Sequence, residues 1–184
     1  MSSDQMPSDQ MPPDQMSSGQ MSVASTFTDP LTERLVAFVR GIGIEVRAAV
    51  LPEKTFLPGL DIRHGAILVD AERLAHPGDI LHEAGHLAVT DPLKRNEPNL
   101  SPTPAEEMTS IAWSYAALCH LTLDPAIVFH DDGYKGGATS IIENFTAGRY
   151  FGVPLLQFYG MAVEPRRAAE THAEPYPHML RWLR

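Results

Sequence analysis

The histidines His82 and His86 lie four positions apart, and Glu83 directly follows the first of them. Residues at this spacing share one face of a helix, so both imidazoles can reach one metal ion if this segment is helical. A catalytic zinc ion takes three protein ligands and keeps a fourth position for water, so a further ligand is expected elsewhere. Glu83 supplies a carboxylate that can take a proton from that water. The pattern therefore predicts a helix, a zinc ion and a third ligand.

The segments around this helix predict a small sheet before it and further helices after it. Apolar periodicity and turn residues define these segments. We therefore predict an α+β, mostly helical fold, with a small N-terminal β-sheet preceding the metal-binding helix. In chain order, the predicted elements are a helix from Pro30 to Gly41 or Gly43, strands over residues 44–51, 60–63 and 66–70 (the last two joined through His64-Gly65), the metal-binding helix with Asp79 as its N-cap, a helix over residues 104–121, and helices over residues 139–149 and from Pro154.

The first 25 residues differ in composition from the rest of the chain. They hold a decaying five-residue repeat of Asp, Gln and Met, and a period of five fits neither a helix nor a strand. Such a polar, Pro-rich segment cannot bury enough apolar area to offset the cost of ordering. We therefore predict a disordered leader over residues 1–25 and a single folded domain over residues 26–184.

Charge and cysteine content exclude several classes of function. The formal net charge is -9 and no segment is dense in Lys or Arg, so we expect no nucleic-acid partner. No apolar run is long enough to cross a bilayer, and the first residues lack the pattern of a signal peptide, so we expect no membrane association and a cytoplasmic location. Cys119 is the single cysteine, which excludes a disulfide within the chain and a cysteine-based zinc site. Its small apolar neighbours predict a packing role.

Two adjacent carboxylates, Glu106 and Glu107, open the second strong helix and are the candidates for the third metal ligand. Thr103 and Glu106 fit a capping box, which would direct the Glu106 side chain to the backbone of Thr103 and leave Glu107 free. Glu107 also lies nearer to the apolar stripe of this helix. Both glutamates therefore remain candidates. The predicted stripe consists of Met108, Ile111, Ala112, Tyr115, Leu118 and Cys119.

Residues 80–113 resemble the gluzincin metallohydrolases, the thermolysin-like group, in which a glutamate on a second helix follows the His-Glu-x-x-His helix. Glu106 lies twenty positions after His86, as in the thermolysin pattern, although Ser110 stands where those enzymes carry an acidic residue. Some small intracellular peptidases of the same motif class place their glutamate nearer to the phase of Glu107. The resemblance implies a zincin-like domain that binds Zn²⁺ and a peptide or protein substrate.

The polar, glycine-rich stretch over residues 128–137 is the predicted wall of an active-site cleft, since loops often carry reactive groups. In the resembled enzymes a Tyr or His helps to hold the oxyanion, and His130 and Tyr134 are the candidates for that role. A second metal site at His130, Asp131 and Asp132 is an alternative, but hard cations usually take more oxygen ligands. The glycines do not form a phosphate-binding loop.

These patterns support three hypotheses. The first is a zinc-dependent hydrolase, a small intracellular metallopeptidase in which Glu83 activates water and His82, His86 and Glu106 or Glu107 hold the metal. Iron or manganese could occupy the same kind of site. The second is a zinc-binding regulatory or interaction protein with little or no peptidase turnover. The third is that the helix with His82 and His86 binds no metal and has only a packing role in the core.

Overall fold

One helix, a three-stranded sheet and then further helices make up the part of the chain that the computed structural model describes, residues 27–184. The leader predicted for residues 1–25 lies outside the described residues. The α+β, mostly helical fold class is confirmed. The helices are α1 (Pro30–Gly41), α2 (Asp79–Val89), α3 (Pro104–Leu121), α4 (Asp131–Tyr134), α5 (Ala138–Thr146), α6 (Val153–Phe158) and α7 (Ala168–Thr171), and the strands are β1 (Glu45–Ala48), β2 (Leu60–Arg63) and β3 (Ala66–Val69).

The sheet has the order β1-β3-β2, with β1 parallel and β2 antiparallel to the central strand β3. The predicted connection between β2 and β3 is confirmed: His64 and Gly65 have φ values of 49° and 77°. Two successive residues with positive φ are what a two-residue hairpin turn requires. Strand β1 is shorter than predicted, because the chain leaves the sheet after residue 49 and exposes Val50.

The N-terminal end of α2 depends on contacts with a distant segment. Its N-cap is Gly78 and not Asp79, so the predicted N-cap was wrong. The Asp79 side chain is buried in the first turn, where it accepts a hydrogen bond from His130 at 2.9 Å. A Cβ atom on Gly78 would lie 1.9 Å from the carbonyl oxygen of Ile127, so only glycine fits there.

Helix α3 packs closely against α2, and a glycine permits the close approach. An added Cβ on Gly85 would lie 2.9 Å from the carbonyl oxygen of Ser110 and 3.2 Å from Ser114 Oγ. Ser114 Oγ donates to the carbonyl oxygens of Ser110 and Leu81, at 2.8 and 3.2 Å. The two helices are thus joined by a hydrogen bond as well as by packing.

The central position of α3 corrects two sequence predictions. Residues 109–118 are all buried, so the helix is covered on most sides, whereas Met108 before this run and Cys119 after it are exposed. The prediction that Met108 and Cys119 pack in the core was therefore wrong. The apolar stripe could not reveal this, because a helix that is covered on most sides has no single inward face.

The last residues pack on the core of the domain. Tyr176 is buried and donates to the carbonyl oxygen of Ala112 at 2.8 Å, and Trp113 Nε1 donates to the carbonyl oxygen of Trp182 at 2.9 Å. The C-terminal Arg184 donates its backbone N–H to the carbonyl oxygen of Ala88 in the last turn of α2. Among the described residues, none of the helices has the length and apolar character that a bilayer span needs.

Candidate metal centre

Three side chains from α2 and α3 converge on one point. The Nε2 atoms of His82 and His86 lie 3.0 Å apart, as their four-residue spacing on α2 predicts. Glu107 in the first turn of α3 places its carboxylate oxygens 3.6 Å from His82 Nε2 and 3.3 Å from His86 Nε2. One imidazole nitrogen from each histidine and one carboxylate therefore form a compact donor set.

The separations of these donor atoms fit a tetrahedral metal ion. Bonds of about 2.0–2.1 Å to a central zinc ion put any two ligand atoms about 3.3 Å apart. The two Nε2 atoms are 3.0 Å apart, Glu107 Oε1 lies 3.6 Å from His82 Nε2, and Glu107 Oε2 lies 3.3 Å from His86 Nε2. Each separation is within a few tenths of an ångström of that value, and each imidazole nitrogen faces its own oxygen of the carboxylate. Two histidines and one carboxylate also leave the fourth tetrahedral position open, which is the arrangement of a catalytic zinc site.

The protonation states favour a cation at this point. Burial, together with repulsion from His86, lowers the pKa of His82 to about 3, and burial lowers the pKa of His86 to about 4. Both imidazoles are therefore neutral at pH 7 and have a lone pair available for a metal. Burial also raises the pKa of Glu107. A metal ion would supply the positive charge that the neutral histidines do not give to this carboxylate.

The adjacent glutamates of α3 have different positions. The Glu106 carboxylate accepts hydrogen bonds from the backbone N–H and the hydroxyl of Thr103, both at 2.9 Å, and Glu106 N–H donates back to the Thr103 hydroxyl. The predicted capping box is thereby confirmed. Glu107, one position later, points to the histidines of α2. The structure brings Glu107 to the donor set and leaves Glu106 at the helix cap.

The donor set lies in a cleft of about 590 Å³. The cleft is lined by apolar side chains together with the two histidines and several carboxylates. Among the lining residues, Lys135 is the only lysine or arginine, against the carboxylates of Asp61, Asp79, Glu83 and Glu107. Burial, followed by repulsion from these acidic neighbours, raises the pKa of Glu83 to about 8. A divalent cation is a ligand that relieves such a concentration of negative charge.

Tyr134 reaches the donor set from the opposite side. Its hydroxyl lies 3.0 Å from His82 Nδ1, and its side chain lines the cleft. The sequence predicted a loop at Tyr134, but residues 131–134 form the short helix α4. A helix of four residues is too short to show a helical period in its sequence. His130 is the N-cap of this helix and does not line the cleft.

A second group of possible metal ligands, His76, His130 and Asp132, lies beside α4. The imidazoles of His76 and His130 are stacked, with ring centroids 3.8 Å apart and planes at 19°. An imidazole binds a metal in its own ring plane, and two nearly parallel planes do not meet at one ion. Both nitrogens of His130 also have protein partners, Asp79 and the backbone N–H of Gly133. Asp131, the remaining member of the predicted second site, is exposed and lies outside this group.

Two residues beside the site were not predicted to belong to it. His76 was not considered, and Asp79 was interpreted only as a helix cap. The signal for Asp79 was its position on α2, one turn before His82 and on the same helix face. No protein-family model, curated protein or solved structure matches this chain significantly. The geometry of the site is therefore the basis for a proposed function.

Proposed function

We propose that this protein is a zinc-dependent hydrolase that cleaves an amide bond of a peptide or protein. The observation that carries the proposal is the convergence of His82 Nε2, His86 Nε2 and the Glu107 carboxylate in a cleft that Glu83 also lines. When bound, zinc supplies Lewis-acid chemistry, which polarises a carbonyl group and makes water more acidic.

The residues of the cleft have separate roles in this proposal. His82, His86 and Glu107 hold the metal. Glu83 accepts the proton of the attacking water while the water oxygen bonds to the carbonyl carbon. The C–N bond then breaks, and Glu83 returns the proton to the leaving nitrogen. The Tyr134 hydroxyl donates a hydrogen bond to the carbonyl oxygen as negative charge develops on it.

The walls of the cleft support a peptide as the substrate class. A volume of about 590 Å³ accommodates several residues, and apolar side chains such as Phe56, Leu57 and Leu100 contribute to the lining. The acidic side chains of the cleft repel phosphate groups, so nucleic acids are not proposed as substrates. The cytoplasm is the proposed location, and cell fractionation tests it.

The experiment compares wild type with Glu83→Gln, both purified without a histidine tag. We expect about one zinc ion per chain in each by mass spectrometry, because Glu83 is not among the three ligands. Hydrolysis of a broad peptide library should fall at least about 100-fold in Glu83→Gln, the contribution typical of a general base. Glu106→Gln is the matched control, since Gln also serves in a capping box and leaves the cleft unchanged.

Two outcomes contradict the proposal in different ways. Wild-type protein that holds zinc but cleaves no peptide would refute the enzyme and favour the second hypothesis, a zinc-binding regulatory or interaction protein. Wild-type protein that holds no metal, even after dialysis against zinc, would refute the metal centre. The histidines of α2 would then serve the core alone.

A further inference from the structure

We propose that Tyr134, held in place by the hydrogen-bonded pair His130–Asp79, is the outer support of the metal ligand His82 and sets the affinity of the site for zinc. This inference rests on the proposed metal centre. It differs from the oxyanion role of Tyr134, because it concerns binding of the metal in the absence of substrate.

The contact between Tyr134 and His82 has the geometry of an outer metal partner. If His82 Nε2 binds a metal, the proton of its imidazole lies on Nδ1, which is 3.0 Å from the Tyr134 hydroxyl oxygen. Nδ1–H then donates to that oxygen and fixes both the tautomer and the orientation of the ring. The hydroxyl keeps its own proton, which remains free to point into the cleft. In the absence of substrate, Tyr134 therefore supports His82 from the side of the ring that faces away from the metal position.

The second histidine provides a comparison within the same site. Within the part of the chain that the structure describes, His86 Nδ1 is buried and has no hydrogen-bond partner. Packing alone holds the Nδ1 side of the His86 ring, whereas the Nδ1 side of the His82 ring has a polar partner. Removal of the Tyr134 hydroxyl would leave His82 in the condition of His86.

The helix that carries Tyr134 is too short to be stable without contacts to the rest of the domain. Helix α4 has four residues, fewer than a stable isolated helix needs. Its N-cap, His130, accepts the backbone N–H of Gly133 at Nδ1, 3.2 Å away, which places the proton of the neutral ring on Nε2. Nε2–H donates to Asp79 Oδ1 at 2.9 Å, and the Asp79 side chain is only 3% exposed. His130 thus caps α4 and attaches it to α2.

Two contacts, one turn apart on each helix, therefore connect α4 with α2. Asp79 and His82 are three residues apart on α2, and their partners His130 and Tyr134 are four residues apart around α4. These spacings put both contacts on facing sides of the two helices. His76 stacks on the outer face of His130 and restricts its movement. A change at Asp79 or His130 should consequently move the Tyr134 hydroxyl away from His82.

The experiment measures zinc affinity by competition with a chromophoric chelator, on full-length protein without a tag. Tyr134→Phe keeps the ring and removes the hydroxyl, and we expect 10–100-fold weaker zinc binding, the loss typical of an outer-shell partner. Tyr150→Phe is the matched control, because that tyrosine belongs to the aromatic cluster around Phe145, and its affinity should equal that of wild type. The absorption spectrum of the cobalt-substituted protein should change in Tyr134→Phe and not in Tyr150→Phe.

A pair of variants at Asp79 tests the attachment of α4 independently of Tyr134. Both variants lose the negative charge of Asp79, so their difference isolates the hydrogen bond. Asp79→Asn keeps an oxygen that accepts from His130 Nε2–H and should bind zinc more tightly than Asp79→Ala, which removes the acceptor. This pair also decides the question if Tyr134→Phe fails to fold. Wild-type affinity with an unchanged cobalt spectrum in Tyr134→Phe, or equal affinities in the two Asp79 variants, would overturn the inference. Loss of zinc binding in wild type itself would instead overturn the proposed function.

Discussion

At the scale of single residues, Glu106 and Glu107 show how two identical neighbours take different positions. One carboxylate completes the cap of α3, and the other faces the histidines of α2. The sequence alone predicted the capping box but left both glutamates as ligand candidates. The twenty-residue spacing from His86 favoured Glu106, and the rotation of α3 against α2, which only tertiary packing determines, favours Glu107.

Substitution of each glutamate by glutamine separates their roles. Glu107→Gln should weaken zinc binding more than about 100-fold, beyond the 10–100-fold loss typical of an outer-shell partner, because it removes the only carboxylate of the donor set. Glu106→Gln should bind zinc as wild type does, since the capping box is kept. Zinc content after dialysis, measured by mass spectrometry, checks both. Loss of zinc in Glu106→Gln with retention in Glu107→Gln would reverse the assignment.

Cys119 gives a residue-scale prediction that does not depend on the metal. The residue is exposed, but partial burial of the thiol raises its pKa above the ordinary value of 9.0, and the hydrogen bond with Tyr115 offsets only part of this rise. The thiolate is the reactive form, so its fraction at neutral pH is small and rises as the pH passes the raised pKa. Labelling with a disulfide reagent should modify one thiol per chain, at a rate that still increases above pH 9. A rate that reaches its plateau below pH 9, with N-acetylcysteine as the reference thiol, would contradict this.

At the scale of secondary-structure elements, the contact of α2 with α3 determines whether the donor atoms meet. Glu107 reaches the histidines because Gly85 lets the backbone of α3 approach α2 closely. The same contact explains why Ser110 and Ser114 are buried in the middle of α3. The distance between the two helices therefore determines how closely Glu107 approaches the histidines.

Gly85→Ala tests this dependence. The new Cβ would lie 2.9 Å from a backbone oxygen of α3, so the helices must separate. We expect a loss of about 1–3 kcal/mol in the free energy of unfolding, typical of overpacking, together with weaker zinc binding. Gly41→Ala is the control, because no atom lies within 4 Å of an added Cβ there. Denaturant unfolding measures both, and equal stability of the two variants would contradict the prediction.

Elements with local signals were predictable, and elements held by distant contacts were not. Helices α1 and α3 begin where Asp29 and Thr103 cap them, each followed by a proline in the first turn. The hairpin turn at His64 and Gly65 is equally local. Helix α4 was missed because four residues carry no periodicity, and it is attached by the pair His130–Asp79, which are 51 positions apart.

At the scale of the whole molecule, a metal ion would connect two central helices and should add to global stability. Zinc that binds only the folded state stabilises it by about 2.7 kcal/mol when its free concentration is 100 times the Kd. Addition of EDTA should therefore lower the melting temperature of wild type, and added zinc should restore it. His82→Ala should show no zinc-dependent shift, while Glu106→Gln should behave as wild type. Identical melting curves of wild type with EDTA and with zinc would contradict the metal centre.

The candidate site as a whole was predictable only in part. The histidines and Glu83 follow from spacing within one helix, which is a local property. The resemblance to the gluzincins predicted an oxyanion role for Tyr134, but its contact with His82 requires α4 to be placed against α2. Asp79 was given a local role as a cap, whereas its partner comes from a segment far along the chain. Whether a polar side chain at the start of a helix is buried depends on tertiary packing, which local sequence patterns do not reveal.

The capping box of α3 also has a consequence for how related proteins can be recognised. Thr103 is the N-cap of α3, so Glu107 lies four positions after the cap whatever the length of the preceding loop. Surface loops tolerate insertions and deletions at little cost. Most of the twenty residues between His86 and Glu107 lie in the loop over residues 90–103, so evolution can change the length of this loop without moving a ligand. A search for relatives should fix the distance from cap to glutamate and leave the distance from histidine to glutamate free.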